Sequence, residues 1–302
     1  MIDKLTSKEQ RKYFYIIIFL LLFAIFLVRH LLIPFLTQER INFSNEVLYK
    51  ILDGLFTSTL VTVGLGTFLF WLTPKNKLNA QMKILQPVEI GSTMTKARID
   101  TEKWWFNGGS GQYTRAQTLP FLASLAREKN RSIDVAIQIM NPNNQKLCES
   151  YATYRNSLKS GTKNRKTMRS VQIDLLATIV AAYMWKAEQP RLNIKLGLKD
   201  SFSLFRLDIS SSTAIITKED PAEPALLYEN GTFFYDAYCE DLKQSLSQVM
   251  NLDMEVQFVG KNEINVAQTK ALLEQLKFGA LVNETEIEEI ITKAKSDINP
   301  YG

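Results

Sequence analysis

Two long uncharged runs dominate the N-terminal quarter of the chain. Residues 13–28 read YFYIIIFLLLFAIFLV, then come Arg29, His30 and LLIPF. A helix over 13–28 rises about 24 Å, short of a hydrocarbon core of about 30 Å. Adding residues 31–35 restores the length and leaves Arg29 near the far interface, where its head snorkels to water. Residues 55–73, LFTSTLVTVGLGTFLFWLT, form the second run, with Trp71 placed for an aromatic belt. The pattern predicts an α-helical transmembrane hairpin with spans at about 13–35 and 55–73. A cleaved signal peptide competes for the first run, but its apolar stretch is long and bulky and no small-x-small site follows.

Basic residues orient the hairpin. Lys4, Lys8, Arg11 and Lys12 precede the first span, and Lys75, Lys77 and Lys83 follow the second. The connecting segment, about 37–53, holds only Arg40 and Lys50. The positive-inside rule puts both termini in the cytoplasm, with a short loop outside. Gly54, Ser58, Thr62 and Gly66 recur every four residues along the second span. Such a small-residue stripe serves either self-association into a homo-oligomer or packing against the first span. The second span carries no ionisable residue, so no charge-lined conduction path is visible.

After Pro74 the pattern changes. Residues 74–100 read as a linker that can end in a short element. Strands are predicted at 103–106, 132–140, 192–198, 203–209, 214–217 and 254–259. Helices are predicted at 112–129, 145–159, 168–188, 233–250, 266–278 and 284–294. Strand–helix alternation followed by a run of strands predicts a cytosolic α/β domain with a mixed sheet. The resulting division is a membrane module over 1–83, an α/β domain over 84–260 and a helical tail over 261–302.

Charge and composition narrow the chemistry. Residues 1–83 hold ten basic and five acidic residues, the whole net charge of +5, while 84–302 carry 26 of each. The larger part is therefore not a generally basic nucleic-acid binder. The single histidine, His30, lies in the apolar region. That excludes a Ser-His-Asp triad, a Cys-His pair or a His-ligated metal beyond it. Cys148 and Cys239 form no CxxC and read as buried, reduced thiols. No pattern asks for a cofactor.

Three features can carry chemistry. Gly108, Gly109, Ser110 and Gly111 lie between a strand and a helix, where backbone N–H groups suit a phosphate. Tyr113, Thr114 and Arg115 can add contacts, and the alternative is a tight turn that needs glycine. The stretch 155–169, RNSLKSGTKNRKTMR, holds Arg155, Lys159, Lys163, Arg165, Lys166 and Arg169 and no acid. It reads as a solvated loop or as a contact for acidic lipid headgroups, a nucleotide or a nucleic-acid strand. Nucleic acid enters the reading only through this loop. The strand region 201–221 alternates Arg206 and Asp208 with apolar residues. Glu219, Asp220 and Glu223 at its exit suit a divalent cation or a charged turn.

The order strand, glycine loop, helix, strand ending near Ile139-Met140-Asn141-Pro142, then a later strand pair resembles the phospholipase-D-like fold. That family carries His-x-Lys-x4-Asp on the strand here occupied by 203–217. The histidine is missing, since Ser203, Leu204 and Phe205 stand in its place. Arg206 loosely matches the lysine, and Asp208 is off the matching spacing. The resemblance implies a non-hydrolytic member, and no catalytic residue transfers. Two short N-terminal spans before a cytosolic module are also similar to bacterial antiphage membrane effectors. Those proteins respond to a nucleotide or an operon-encoded protein partner by clustering and compromising the membrane. The sequence thus favours a non-enzymatic effector in the lipid bilayer, with Arg206 joining the 108–115 loop in ligand binding. The alternatives are a membrane-tethered phosphoester enzyme using carboxylates and a metal, and an adaptor that docks a partner through its tail. In that tail Glu284, Glu286, Glu288 and Glu289 precede Lys293 and Lys295, in keeping with the helix dipole.

Overall fold

The computed structural model describes residues 8–28, 43–72, 82–162 and 165–299. The chain divides into two compact units, Met1–Lys77 and Leu78–Gly302.

The first unit contains α1 (Lys8–Leu27) and α2 (Phe43–Leu72). Within α2, Tyr49–Phe68 is a 20-residue segment of mean hydropathy 1.4, none of it buried, long and apolar enough to cross a membrane. The apolar part of α1, Ile16–Leu27, is shorter. Arg29, His30 and the remainder of the expected first span lie outside the described residues, as does Pro74. Residues 43–53, expected as part of a connecting loop, are instead the first turns of α2. Apolar Val47, Leu48 and Ile51 recur there at helical spacing, and that periodicity outweighs the polar Ser44, Asn45 and Glu46. Ile17, Phe19 and Leu20 on α1 and Ile51, Leu55 and Leu65 on α2 are more than half exposed. An uncovered apolar coat of this extent calls for lipid or another chain.

The second unit is an α/β domain around a mixed eight-stranded sheet in the order β1-β7-β6-β5-β2-β3-β4-β8. The strands are β1 (Lys83–Leu85), β2 (Lys103–Asn107), β3 (Ile133–Met140), β4 (Leu192–Lys199), β5 (Phe205–Ser210), β6 (Thr213–Lys218), β7 (Ala225–Glu229) and β8 (Met250–Asn251). The central strands β2, β3 and β4 are parallel, and the remaining pairings are antiparallel. The helices are α3 (Pro87–Arg98), α4 (Leu119–Glu128), α5 (Gln145–Ser157), α6 (Met168–Glu188), α7 (Phe233–Ser247), α8 (Val266–Gln275) and α9 (Glu284–Lys295).

Helix α6 is the hub. Every residue from 171 to 184 is buried, because the helix is apolar nearly all round. Thr167 caps it, accepting from the Ser170 N–H at 3.1 Å. Its core also contains Leu119 and Leu122 of α4, Ile137 and Ile139 of β3, and Leu196 of β4. The opposite sheet face is covered by α7, where Tyr235, Cys239 and Leu242 pack on Leu207, Ile209 and Ile216. Cys148 and Cys239 are both free and buried.

Several expectations change. The helix expected over 112–129 opens with a π-helical turn, Thr114–Thr118, before α4. Pro120 has no N–H to donate, and the Leu119 N–H reaches back to the Thr114 carbonyl. The stretch 254–259, expected as a strand, forms no ladder. The α6 side chains take the neighbouring carbonyls instead: Tyr183 donates to Asp253 O at 2.8 Å and Lys186 to Met254 O at 2.7 Å. The strand lies earlier, at β8, opposite Gly197 and Leu198. Part of the expected linker is β1 and α3, and β7 was not anticipated. The expected tail belongs to the main core, which includes Leu273, Phe278, Ile287 and Ile290. Ile290→Ala is therefore expected to cost about 2–5 kcal/mol, read as a lowered urea midpoint of the domain's circular dichroism.

Candidate functional site

The glycine loop is built as a closed turn. The Gly108 N–H donates to Gln138 O at 3.1 Å and the Met140 N–H donates to Gly109 O at 3.2 Å, so the loop extends the β2–β3 pairing. A Cβ at Gly108 would fall on the Phe106 ring, and one at Gly109 on the Tyr151 ring and hydroxyl. Gly111 has φ +71°, a left-handed conformation that favours glycine. All of Gly108, Gly109, Ser110 and Gly111 are buried, and so are Tyr113, Thr114 and Arg115. Arg115 faces inward, donating to Asp174 O at 2.9 Å and to Thr178 Oγ1 at 3.2 Å. Burial pushes its guanidinium below the ordinary arginine value, although Asp174 pulls the other way. The expected phosphate cradle is thus a packed turn, and Arg115 is a core brace. Two voids of about 10 Å³ each lie against the loop, room for a single water apiece.

The basic stretch does not stand free either. Arg155 pairs with Glu219 at 2.9 Å, Lys166 with Asp174 at 2.6 Å, and Arg169 forks onto Glu286. Asp174, on buried α6, also binds Lys293 at 2.8 Å and accepts from the Gln112 amide. Burial pushes the Asp174 carboxyl up, and the two lysines together pull it below the ordinary carboxylate value. Arg165 and Lys159 are exposed, while Lys163 lies outside the described residues. A surface built from all six cations is therefore corrected, because three of them are committed to internal carboxylates.

Polar residues do converge at the C-terminal ends of the parallel strands, where ligands commonly bind in open α/β sheets. Lys199 closes β4, is 7% exposed and donates to Asn107 Oδ1. Burial pushes its ammonium down to about 8, with Glu219 pulling upward. On β5, Arg206 Nε donates to Asp208 Oδ2 at 3.0 Å, the two side chains sharing one strand face. Burial pushes the Asp208 carboxyl above its ordinary value, with Arg206 opposing. Arg206 lies across from Thr217 in the β5–β6 register, and its guanidinium carbon is 5.8 Å from the centre of the Tyr113 ring. Arg98 of α3 approaches the same ring at 5.6 Å.

Beside this cluster is a cavity of about 270 Å³. Pro87, Val88, Ile90, Gly91 and Met94 of α3 form one wall. Arg206, Thr217, Lys218 and Asp220 contribute the other. Tyr113 and Arg206 are thus the expected ligand residues that do border open space, while Gly108, Gly109 and Arg115 do not. The α3 wall and Thr217 carried no recognised signal, since 87–98 fell within the expected linker. Two of the three carboxylates expected for a cation are used elsewhere. Glu219 holds Arg155, and Asp220 accepts from the Ala222 N–H at 3.1 Å and the Ser160 N–H at 3.4 Å. Among the described residues no group of three or more acids, cysteines or histidines is placed to hold a metal. The stripe Gly54, Ser58, Thr62 and Gly66 is exposed along α2. A Cβ at Gly54 or Gly66 would meet nothing within 4 Å, and the Thr62 hydroxyl donates to Ser58 O at 2.8 Å.

No protein-family model and no curated protein matches the chain. Among solved structures the chain is similar to TrmBL2, an archaeal chromatin protein described as showing a novel mode of DNA binding. The TM-score is 0.33 at 9% identity, covering 70% of this chain and 68% of that one. Likeness at that level carries no argument about fold or function.

Two outcomes follow from the geometry. Gly109→Ala forces a methyl onto Tyr151 and is expected to destabilise the domain by about 1–3 kcal/mol in urea unfolding. Asp174 has a folded pKa below the unfolded value of about 3.8, so its stabilisation is full above that pH and fades as pH falls through the folded value. Asp174→Asn should therefore lower the urea midpoint clearly at pH 7 and progressively less as the pH is taken below the unfolded value of about 3.8.

Proposed function

We propose that the chain is a membrane-anchored, non-enzymatic effector whose α/β domain senses a phosphate-bearing ligand or a protein partner. Sensing controls self-association in a bacterial inner membrane and then membrane disruption, as in antiphage defence. The observation that carries the reading is the 20-residue apolar segment of α2, none of which is buried. The apolar part of α1 supports a second crossing, which makes a hairpin with both termini in the cytoplasm. The exposed stripe of Gly54, Ser58, Thr62 and Gly66 supports close helix–helix approach between copies.

The domain side of the reading rests on the strand-end cavity. A phospholipase-D-like ancestry is supported by the order β2, glycine loop, helix, β3, β4, β5. The histidine that hydrolysis requires in that family is absent, and Arg206–Asp208 occupies the corresponding strand as an internal ion pair. A binding module fits these residues better than a hydrolase.

Expression in bacteria, followed with a membrane-potential dye, tests the proposal. The chain should stay in the membrane through a carbonate wash and depolarise the cells on activation. Gly54→Leu combined with Gly66→Leu should keep the membrane retention while reducing both cross-linked oligomer and depolarisation. Release by carbonate, or an intact potential under every activating condition, refutes it.

A further inference from the structure

We infer that the end of the sheet where β1 and β7 emerge from under α7 rests on the surface of a lipid bilayer. The inference gives the α/β domain a lipid-contacting face and rests on the membrane-anchored part of the reading above. An apolar row leads out from the covered sheet. In register, Leu207 of β5 lies opposite Ile216, Ile216 opposite Leu226 and Leu226 opposite Ile84. All four therefore share one sheet face. Leu207 and Ile216 are buried under α7, Leu226 is partly covered, and Ile84 is 55% exposed. Edge strands are commonly blunted by charge. On this face β1 carries isoleucine instead.

The head of α7 extends the row. Tyr228, two residues beyond Leu226 on the same strand, is buried in ring contact with Phe234 at 5.2 Å and Tyr238 at 5.6 Å. Phe233 stands edge-on to Phe234 at 5.4 Å and is 64% exposed. Thr232 caps the helix, accepting from the Tyr235 N–H, so both phenylalanines are fixed in its first turn. Met82, two residues before Ile84, is exposed as well. Large apolar side chains are thus left in water beside Leu226 and Tyr228, where each exposed group costs free energy until it is covered.

Lipid fits this face better than a second copy of the chain. Strand β1 is three residues long, too short to template a further strand. It is also the first element after the apolar segment of α2. Eleven residue steps separate Leu72 from Lys83, and a chain of that length spans at most about 40 Å. With α2 in a bilayer, β1 stays within that reach of the headgroups.

Charge agrees with this occupant and limits how the domain lies. Residues 73–83, TPKNKLNAQMK, hold Lys75, Lys77 and Lys83 and no acid, which suits acidic headgroups. Aromatic side chains next to lysines are the usual composition at a membrane–water interface. Asp236, Glu240 and Asp241 are exposed on α7, and acidic lipid repels them. Helix α7 therefore does not lie flat on the bilayer. The β1 edge and the two phenylalanines make the contact, and the acids of α7 remain in water.

The test uses the full chain in phosphatidylcholine vesicles with and without phosphatidylglycerol. Phe233→Cys carries a nitrobenzoxadiazole dye, an apolar ring that stands in for the phenyl group. Quenching by spin-labelled phosphatidylcholine reads contact with lipid, and the same dye at Glu149→Cys, exposed on α5, gives the background. Cys148 and Cys239 are buried, and the unsubstituted chain checks that they take no dye. The dye at 233 is expected to be quenched, more strongly with phosphatidylglycerol, while the dye at 149 is not. Adding Ile84→Glu should shift the contact equilibrium about tenfold toward the undocked state, since a large aliphatic side chain is lost from the lipid. Ile84 is exposed, so glutamate there leaves the core intact, and an unchanged urea midpoint checks this. A dye at 233 quenched no more than the dye at 149 overturns the inference, whether it stands in water or is shielded by another copy of the chain. Quenching left unchanged by Ile84→Glu in a folded chain also overturns it. A chain that resists the carbonate wash yet shows no quenching refutes the lipid-contacting face and leaves the anchored reading. A chain released by carbonate but quenched on added vesicles refutes the anchor and leaves the face.

Discussion

A carboxylate in the middle of a helix buried on every side has to be neutralised, and in this domain that requirement falls on Asp174. Desolvating an unpaired carboxylate is far more costly than forming any one contact around it. The partners come from three separate stretches: Gln112 after the glycine loop, Lys166 in the basic stretch and Lys293 on the last helix. Arg115 reads the backbone carbonyl of the same residue. One buried charge therefore fixes the positions of the loop, the basic segment and the C-terminus against α6. The Arg169–Glu286 pair and the core residues Ile287 and Ile290 continue the attachment of α9.

The same rule explains why the strand ends look so charged and yet bind so little on their own account. Arg206 is matched by Asp208, Arg155 by Glu219, and Lys199 is held by Asn107. A motif read for its charge alone, such as the basic stretch, overstates what reaches solvent.

The elements that bury a continuous apolar pattern were legible. The period of residues 168–188 and the alternation of 133–140 defined α6 and β3, because each pattern is long and meets the core directly. The class of the domain, α/β with a mixed sheet, followed from their order. The 254–259 segment has a strand's composition, but Lys186, some seventy residues earlier, takes its Met254 carbonyl and Tyr183 takes that of Asp253 just before it, and no local pattern encodes that. Strand β7 was obscured by Pro221 and Pro224, which precede it closely and read as a turn. In the candidate site, Arg206 and Tyr113 were found by residue type. Gly109 and Arg115 were misread because a glycine needed for packing against Tyr151 looks the same in sequence as one needed for an anion. The α3 wall was missed because half of that helix faces open space and lacks a full amphipathic period.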